Sequence, residues 1–250
     1  MASRDLPTGG SRGPAAWAAV FDLDGVLVDS YAAHWWSWQR LAEETRVRFG
    51  EDDFAATFGQ TSREVIGRFW HVPADSARAH ELDARKEALY RERLRAEFPA
   101  VDGAVALVDG LRVAAVPCAV ASSAPPENVL LTLDLLGRRT AFAVVVTGRD
   151  VMRGKPDPAI YRLAAERLAM PPGRCVVVED APVGVQAARA AGMPCVALTG
   201  TVDATRLADA DLVVDSLRRS TRPAWRRWRA DVRRRGPPGA PPRSGRARTP

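Results

Sequence analysis

Hydrophobic and polar positions divide the chain into two kinds of segment. From about residue 32 to residue 98, apolar residues recur at every third or fourth position, which predicts amphipathic helices and no strand. On either side of this region, short continuous apolar runs alternate with helical patterns of about ten to fifteen residues, as in buried parallel strands joined by helices. The pattern predicts a doubly wound parallel α/β sheet, a Rossmann-like core, with an inserted all-helical domain, which we call the cap.

The same pattern sets the expected domain boundaries. Residues 15–31 and 99–217 are assigned to the α/β core, and residues 32–98 to the helical cap. Residues 1–14 and 218–250 are rich in Gly, Pro, Ser and Arg and offer too little apolar surface to bury, so we expect both ends to be disordered.

Individual elements can be predicted from periodicity and from helix-end residues. In the cap, Ser62 is expected as the N-cap of one helix, and the predicted helices cover residues 31–44, 54–58, 63–70 and 74–97. In the core, Asp157 is the expected N-cap of a helix with Pro158 at its first position. The predicted core strands cover residues 18–21, 116–121, 142–146, 175–178, 195–198 and 212–214. The predicted core helices cover residues 101–111, 125–136, 158–169 and 182–191.

The net charge of +6 is distributed unevenly along the chain. Residues 218–250 contain 12 Arg and one Asp, so this tail contributes +11 and the other 217 residues together carry −5. A basic balance suggests an anionic partner, but here the basicity belongs to the tail alone. Binding of nucleic acid or of an anionic surface is therefore expected, if at all, only through the tail, and it is the distant alternative for function.

The sequence also bears on the compartment. The apolar run at residues 15–21 is too short to span a membrane and leads directly into Asp22. Three cysteines without metal-ligand spacing, Cys118, Cys175 and Cys195, lie beside apolar runs, which is typical of buried thiols in a reducing compartment. We expect a cytoplasmic monomer that binds no membrane.

Polar side chains cluster where the predicted strands end. They lie at these ends or in the loops just after them: Asp22 and Asp24, Ser122 and Ser123, Lys155, and Glu179 and Asp180. The carboxyl ends of strands in a doubly wound sheet form its binding edge, so these side chains should converge. Carboxylates placed side by side repel, and a hard cation such as Mg²⁺ removes that penalty. An ammonium and a hydroxyl can contact the other oxygens of a phosphoryl group, which leaves one aspartate as a nucleophile.

Four segments resemble the motifs of the haloacid dehalogenase superfamily, in that family's order and roughly its spacing, over about residues 17–217. They are Asp22-Leu23-Asp24-Gly25-Val26-Leu27, Ser122, Gly154-Lys155-Pro156 and Glu179-Asp180-Ala181-Pro182-Val183-Gly184. The resemblance implies Asp22 as nucleophile, Asp24 as general acid and base, and Ser122 and Lys155 as contacts of the transferring phosphate, with Ser123 also predicted to contact substrate.

The resemblance also implies the cofactor. It places Mg²⁺ on Asp22, on Asp180 and on the backbone carbonyl of Asp24, with Glu179 acting through water.

The inserted helices resemble the cap of the β-phosphoglucomutase-like subgroup, which implies closure over the site and exclusion of water. On that resemblance His34, Arg63 and Lys86 contact substrate from the cap side. From residue type alone, His34 could equally be a packing histidine, and Arg63 and Lys86 could be solvated helix charges.

These features together predict a Mg²⁺-dependent phosphatase that hydrolyses a small phosphorylated metabolite, of the sugar phosphate or phosphoglycolate type, through an aspartyl-phosphate. The alternative is a β-phosphoglucomutase-type sugar phosphomutase. The sugar mutases carry a lid lysine where this chain has Gly59 or Gln60, which counts against mutase activity. Asp24 counts against a true dehalogenase and against the phosphonatase branch, since both lack an aspartate at that position.

Overall fold

A computed structural model describes residues 15–57 and 61–219 of the chain. Its six strands form one sheet in the order β3-β2-β1-β4-β5-β6, and every neighbouring pair is parallel. The strands are β1 Ala18–Phe21, β2 Cys118–Ala121, β3 Val144–Val146, β4 Cys175–Glu179, β5 Cys195–Leu198 and β6 Leu212–Val214. The predicted doubly wound α/β core is confirmed, with its topological switch point between β1 and β4.

The central strand explains why the sequence shows an apolar run there instead of an alternating pattern. All four residues of β1 are buried, and Val20 lies opposite Ala119 on β2 and Val177 on β4. Alternate residues of β1 pack into different clusters: Phe21 belongs to the core on one face of the sheet and Val20 to the core on the other. Successive strand residues face opposite sides of the sheet, so a parallel sheet covered by helices on both faces requires apolar residues at every position.

Among the described residues, four α-helices pack around the sheet, and their bounds are α5 Ala104–Val113, α6 Pro126–Leu135, α7 Ala159–Arg167 and α8 Pro182–Ala190. Strand β2 begins two residues later than predicted because the N–H of Val116 still bonds to the carbonyl of Leu111 at the end of the preceding helix. Asp157 is not the N-cap of α7, since Pro158 occupies that position. The Asp157 carboxylate nevertheless accepts a hydrogen bond from the N–H of Ala159 at 2.9 Å.

The described part of the inserted segment contains four helices, which we call the cap helices: α1 Tyr31–Thr45, α2 Glu51–Ala56, α3 Ser62–Trp70 and α4 Ala77–Ala96. They enclose an apolar cluster of their own around Trp38, Leu41, Phe49, Ile66 and Leu89. The helical cap predicted from the sequence is therefore present, while its boundaries with the core stay predictions.

Two helices in the cap begin at other residues than predicted. In both cases a side chain accepts a hydrogen bond from a backbone N–H group at the start of the helix. Thr61, not Ser62, is the N-cap of α3, because its hydroxyl accepts from the N–H of Glu64 at 3.3 Å while the Glu64 carboxylate accepts from the N–H of Thr61 at 2.7 Å. Helix α2 begins at Glu51 instead of residue 54, because Asp53 accepts from the N–H of Gly50 at 2.9 Å.

Some predictions fall on other parts of the chain. Residues 58–60, which include the lid positions Gly59 and Gln60, lie outside the described residues, as do residues 1–14 and nearly all of the basic tail. The described helices include none that is both long and apolar enough to cross a membrane. Cys118, Cys175 and Cys195 are buried and unbridged.

Candidate active site

Asp22 follows β1 directly and lies at the carboxyl edge of the sheet. Its N–H donates to the carbonyl of Val178 on β4 at 2.9 Å, which fixes the backbone at the switch point. The chain then turns at Gly25, whose φ is +71°. A Cβ at Gly25 would overlap the Asp180 carboxylate, so the glycine allows the first and last acidic segments to approach each other.

Lys155 joins two of the acidic segments. Its Nζ lies 2.6 Å from Asp22 Oδ1 and 2.6 Å from Glu179 Oε1, and all three side chains are buried. Burial alone would lower the pKa of Lys155, but the charges of the two carboxylates outweigh it and raise that pKa. The convergence predicted for Asp22, Lys155 and Glu179 is thus present.

Glu179 has a hydrogen-bond donor on every side. Besides Lys155, its Oε1 accepts from the Tyr161 hydroxyl at 2.7 Å, and its Oε2 accepts from the N–H groups of Asp180 and Ala181 at 2.8 and 3.0 Å. A Cβ at Gly184 would overlap this carboxylate. Burial works to raise the pKa of Glu179, but Lys155 and these donors lower it overall.

The acidic residues at the sheet edge fit a metal ion. Asp22, Glu179 and Asp180 each offer a carboxylate oxygen, and these atoms lie within 4.8 Å of one another. Burial raises the pKa of Asp22 to about 7 and that of Asp180 well above its usual range, and the neighbouring carboxylates add to both shifts. A divalent cation would remove this repulsion, and an all-oxygen donor set suits a hard cation.

Asp24 faces the cap instead of the acidic group. Its Oδ1 accepts from the Tyr90 hydroxyl at 3.0 Å and lies 3.6 Å from His34 Nε2. Burial acts to raise the pKa of Asp24, but its polar contacts with His34, Ser30 and Tyr90 together lower it to about 2. The predicted contribution of Asp24 to a metal site is through its backbone carbonyl, which the orientation of the side chain does not contradict.

Ser122 and Ser123 follow β2 on the neighbouring strand. Because Val120 lies opposite Phe21, the residues after β2 leave the sheet beside those after β1. Ser122 is buried, and its Oγ accepts from the N–H of Ala124 at 3.1 Å, while Ser123 is exposed. This placement is compatible with the predicted contacts of both serines with substrate, which stay predictions.

The three predicted cap residues separate into two groups. His34 and Lys86 meet beside Asp24, with Lys86 Nζ 3.0 Å from His34 Nδ1. Arg63 is exposed, and its Nη1 lies 3.3 Å from His80 Nε2. The structure thus joins His34 and Lys86 to the side chain of Asp24, whereas Arg63 points to a neighbour within the cap.

Sequence reasoning missed several polar residues that contact these groups: Tyr90, Glu87, Asn128, Tyr161 and Thr201. Thr201 donates to Asp180, and Asn128 contacts Glu87 from the core. Tyr161 and Tyr90 occupy apolar positions of helical patterns, where a buried phenol is a signal in itself because its hydroxyl needs a partner. The partners of Asn128 and Thr201 had no signal in the sequence.

Comparison with known proteins agrees with this geometry. Residues 18–192 match the family model of haloacid dehalogenase-like hydrolases. The chain is 35% identical over 202 residues to validoxylamine A 7'-phosphate phosphatase of Streptomyces hygroscopicus subsp. limoneus, covering 80% of this chain and 93% of that protein. It is 29% identical over 204 residues to β-phosphoglucomutase of Bacillus subtilis (strain 168), covering 79% and 88%.

A solved structure extends the agreement to the fold. The crystal structure of CbbY from Rhodobacter sphaeroides in complex with phosphate superimposes with a TM-score of 0.74 at 27% identity, covering 81% of this chain and 95% of that one. The protein belongs to the haloacid dehalogenase-like hydrolase family, as its four motifs predicted.

Proposed function

We propose that this protein is a Mg²⁺-dependent phosphatase that hydrolyses a small phosphorylated metabolite, of the sugar phosphate or phosphoglycolate type. The observation that carries the proposal is the Lys155 bridge between Asp22 and Glu179, beside the oxygen cluster at the carboxyl end of β1. This arrangement offers a nucleophile, an ammonium and a cation site at one point, which is what a phosphate dianion requires. Similarity to a phosphatase of a 7'-phosphate supports the same reaction class.

The chemistry assigned to the core residues has two steps. An oxygen of Asp22 attacks phosphorus, the bond from phosphorus to the substrate oxygen breaks, and the departing alkoxide takes a proton from Asp24. Water then attacks the phosphorus of the aspartyl-phosphate while Asp24 takes up its proton, and inorganic phosphate leaves with Asp22 restored. Ser122, Ser123 and Lys155 bind the phosphate oxygens that do not react.

Asp24 must carry a proton at the first step, although its hydrogen bonds keep it ionised in the structure. A phosphate dianion bound beside it raises its pKa by like-charge repulsion, which makes the protonated form accessible. Asp22, Asp180 and the backbone carbonyl of Asp24 would hold Mg²⁺, with Glu179 acting through water. When bound, the ion supplies positive charge against the phosphate oxygens.

The cap is assigned the task of covering the substrate. On closure, His34, Lys86 and Arg63 would offer nitrogen donors to the hydroxyl or phosphate oxygens of a substrate, and closure would exclude bulk water from the site. We further propose a cytoplasmic location, supported by the three buried, unbridged cysteines, and we propose that the protein is a monomer. Size-exclusion chromatography with light scattering tests the monomer.

A phosphate-release screen over sugar phosphates, phosphoglycolate and nucleotides tests the function. The expected result is Mg²⁺-dependent release from at least one small phosphomonoester and its loss in Asp22→Asn, which stays folded. Incubation with β-glucose 1-phosphate and a trace of the 1,6-bisphosphate tests the mutase alternative. Inorganic phosphate should appear faster than glucose 6-phosphate; the reverse order, or full activity in excess chelator, contradicts the proposal.

A further inference from the structure

Glu87 is a buried carboxylate of cap helix α4 that has partners in both parts of the molecule. Its Oε1 accepts from Lys86 at 2.8 Å and from Ser62 at 3.1 Å, both in the cap helices. Its Oε2 accepts from the Asn128 side chain at 2.5 Å, and Asn128 belongs to core helix α6. Lys86, Glu87 and Asn128 are exposed by only 2, 7 and 1%, so this carboxylate links cap and core away from solvent.

The orientation of the Asn128 amide is fixed by its neighbours. Arg91 Nη1 lies 2.8 Å from the Asn128 oxygen, and a guanidinium can only donate. Glu87 can only accept while ionised, and although burial works to raise its pKa, its polar neighbours, Lys86 and Asn128 among them, lower that pKa to about 2. The NH₂ group of Asn128 therefore faces Glu87, and its oxygen faces Arg91.

A chain of contacts continues from Glu87 to Asp24. Lys86 Nζ, which donates to Glu87, lies 3.0 Å from His34 Nδ1. Because an ammonium has no lone pair, His34 Nδ1 accepts, and the ring proton of neutral His34 lies on Nε2, 3.6 Å from Asp24 Oδ1. His34 is also stacked on Tyr90, with ring centroids 4.1 Å apart, and Tyr90 donates to the same Asp24 oxygen.

Asn128 is the member of this chain that belongs to the core. Helix α6 begins at Pro126, soon after Ser122 and Ser123, so Asn128 is fixed to the same segment as the predicted phosphate contacts. The other members, from Arg91 through Glu87 and Lys86 to His34, belong to the cap helices. Without Asn128, the Glu87 carboxylate loses its core partner, and the Lys86 ammonium is no longer aligned between Glu87 and His34.

We infer that Asn128 is a positioning residue for Asp24, acting across the boundary between core and cap through Glu87, Lys86 and His34. This inference rests on the proposed function, in which Asp24 protonates the leaving group. Asn128 itself touches none of the reacting atoms. It holds the cap chain in the arrangement that places the His34 Nε2 proton against Asp24.

Comparing two substrates with different leaving groups distinguishes a positioning role of Asn128 from a merely structural one. A sugar alkoxide needs a proton to leave, whereas p-nitrophenolate is a stable anion and does not. General acid catalysis is worth about 10² to 10⁴ in rate, so Asn128→Ala should lower kcat/KM about tenfold or more on glucose 6-phosphate and less than about threefold on p-nitrophenyl phosphate. Asp24→Asn removes the acid itself, so its losses of kcat/KM on the two substrates give the largest difference that this test can show.

Two further variants keep the comparison interpretable. Thr132→Val lies one turn along α6, at a buried hydroxyl without a hydrogen-bond partner among the described residues, and should leave both substrates unchanged. Asn128→Asp keeps the side-chain volume but places a second carboxylate against Glu87. It should show the same dependence on the leaving group, and it replaces Asn128→Ala in the test if that variant does not fold. Equal losses on both substrates, or no loss on either, would overturn the inference.

An experiment without turnover tests the inference separately from the function. The chain has three histidines, so a long-range ¹H–¹⁵N spectrum of the metal-free protein resolves each ring, assigned with His71→Gln and His80→Gln. His34 should show the Nε2–H tautomer in the parent protein and a mixture of tautomers in Asn128→Ala. An unchanged His34 tautomer overturns the inference even in an active phosphatase. Absence of phosphatase activity with a changed tautomer overturns the proposed function instead.

Discussion

The core half and the cap half of the candidate site are held together by different means. In the core, Asp22, Glu179 and Asp180 are attached to the ends of neighbouring parallel strands, so the sheet itself brings them together. In the cap, Lys86 and Glu87 lie in the middle of a helix and reach the site through side-chain contacts. The core half is therefore a consequence of topology, and the cap half is a consequence of packing, which can change when the cap moves.

The largest expected effect comes from the two lysines, which are the only lysines in the chain. Lys155→Met leaves Asp22 and Glu179 buried without a cation, and should lower the free energy of unfolding by about 3 to 5 kcal/mol in metal-free buffer. Lys86→Met should cost less, because Glu87 keeps Ser62 and Asn128 as donors. Urea denaturation of both variants measures the difference. A larger loss for Lys86→Met would show that the cap, not the core, holds the site together.

The dependence of the free energy of unfolding on pH below about 4.5 should show how much the Glu87 carboxylate stabilises the cap. The pKa of Glu87 is about 2 in the folded protein against 4.5 for a free glutamate, so its ionised form stabilises the fold fully above about pH 4.5 and loses that effect as the pH falls toward 2. The shift corresponds to roughly 3 kcal/mol. Glu87→Gln should therefore be less stable than the parent protein at pH 6, with the difference shrinking at pH 3.

Glu127→Gln is the matched control for that measurement. Glu127 is on the same helix as Asn128 but exposed, paired with Arg149 at the surface, so its loss should change stability by less than about 1 kcal/mol at any pH. If the difference for Glu87→Gln does not depend on pH, the Glu87 carboxylate does not stabilise the fold by being ionised.

The same contrast explains what could be predicted from sequence. The strands and the convergence of Asp22, Lys155 and Glu179 follow from apolar runs that end in polar residues, because the carboxyl ends of parallel strands share one edge. Side chains that meet only after helices pack leave no such signal. Asn128 contacts Glu87, 41 residues away in sequence, and nothing in the local pattern of α6 indicates it.

Alanine substitutions at two glycines test how closely the acidic segments of the core pack against each other. Gly25 and Gly137 have similar positive φ angles, +71° and +66°, so alanine should cost about 1 to 2 kcal/mol of backbone strain at either position. Only at Gly25 would the new Cβ overlap Asp180 and Thr201, while at Gly137 it meets nothing within 4 Å. Gly25→Ala should thus cost about 1 to 3 kcal/mol more than Gly137→Ala. Thermal unfolding with and without Mg²⁺ should also show weaker stabilisation by the ion in Gly25→Ala.

The smallest expected effect on stability concerns Arg63, which the structure places at the surface of the cap. Arg63→Ala should change the free energy of unfolding by less than about 0.5 kcal/mol, since Arg63 is exposed and its contact with His80 is too. If Arg63 reaches the substrate when the cap closes, loss of a charged hydrogen bond worth about 1.5 to 3 kcal/mol should raise KM about tenfold or more. Arg78→Ala, at another exposed arginine that pairs with Glu81 on α4, is the matched control and should leave KM unchanged. Steady-state kinetics on the best sugar phosphate measure both KM values. Equal KM values for the two variants would show that Arg63 is a solvated helix charge. The substrate contacts in the cap would then be left to His34 and Lys86.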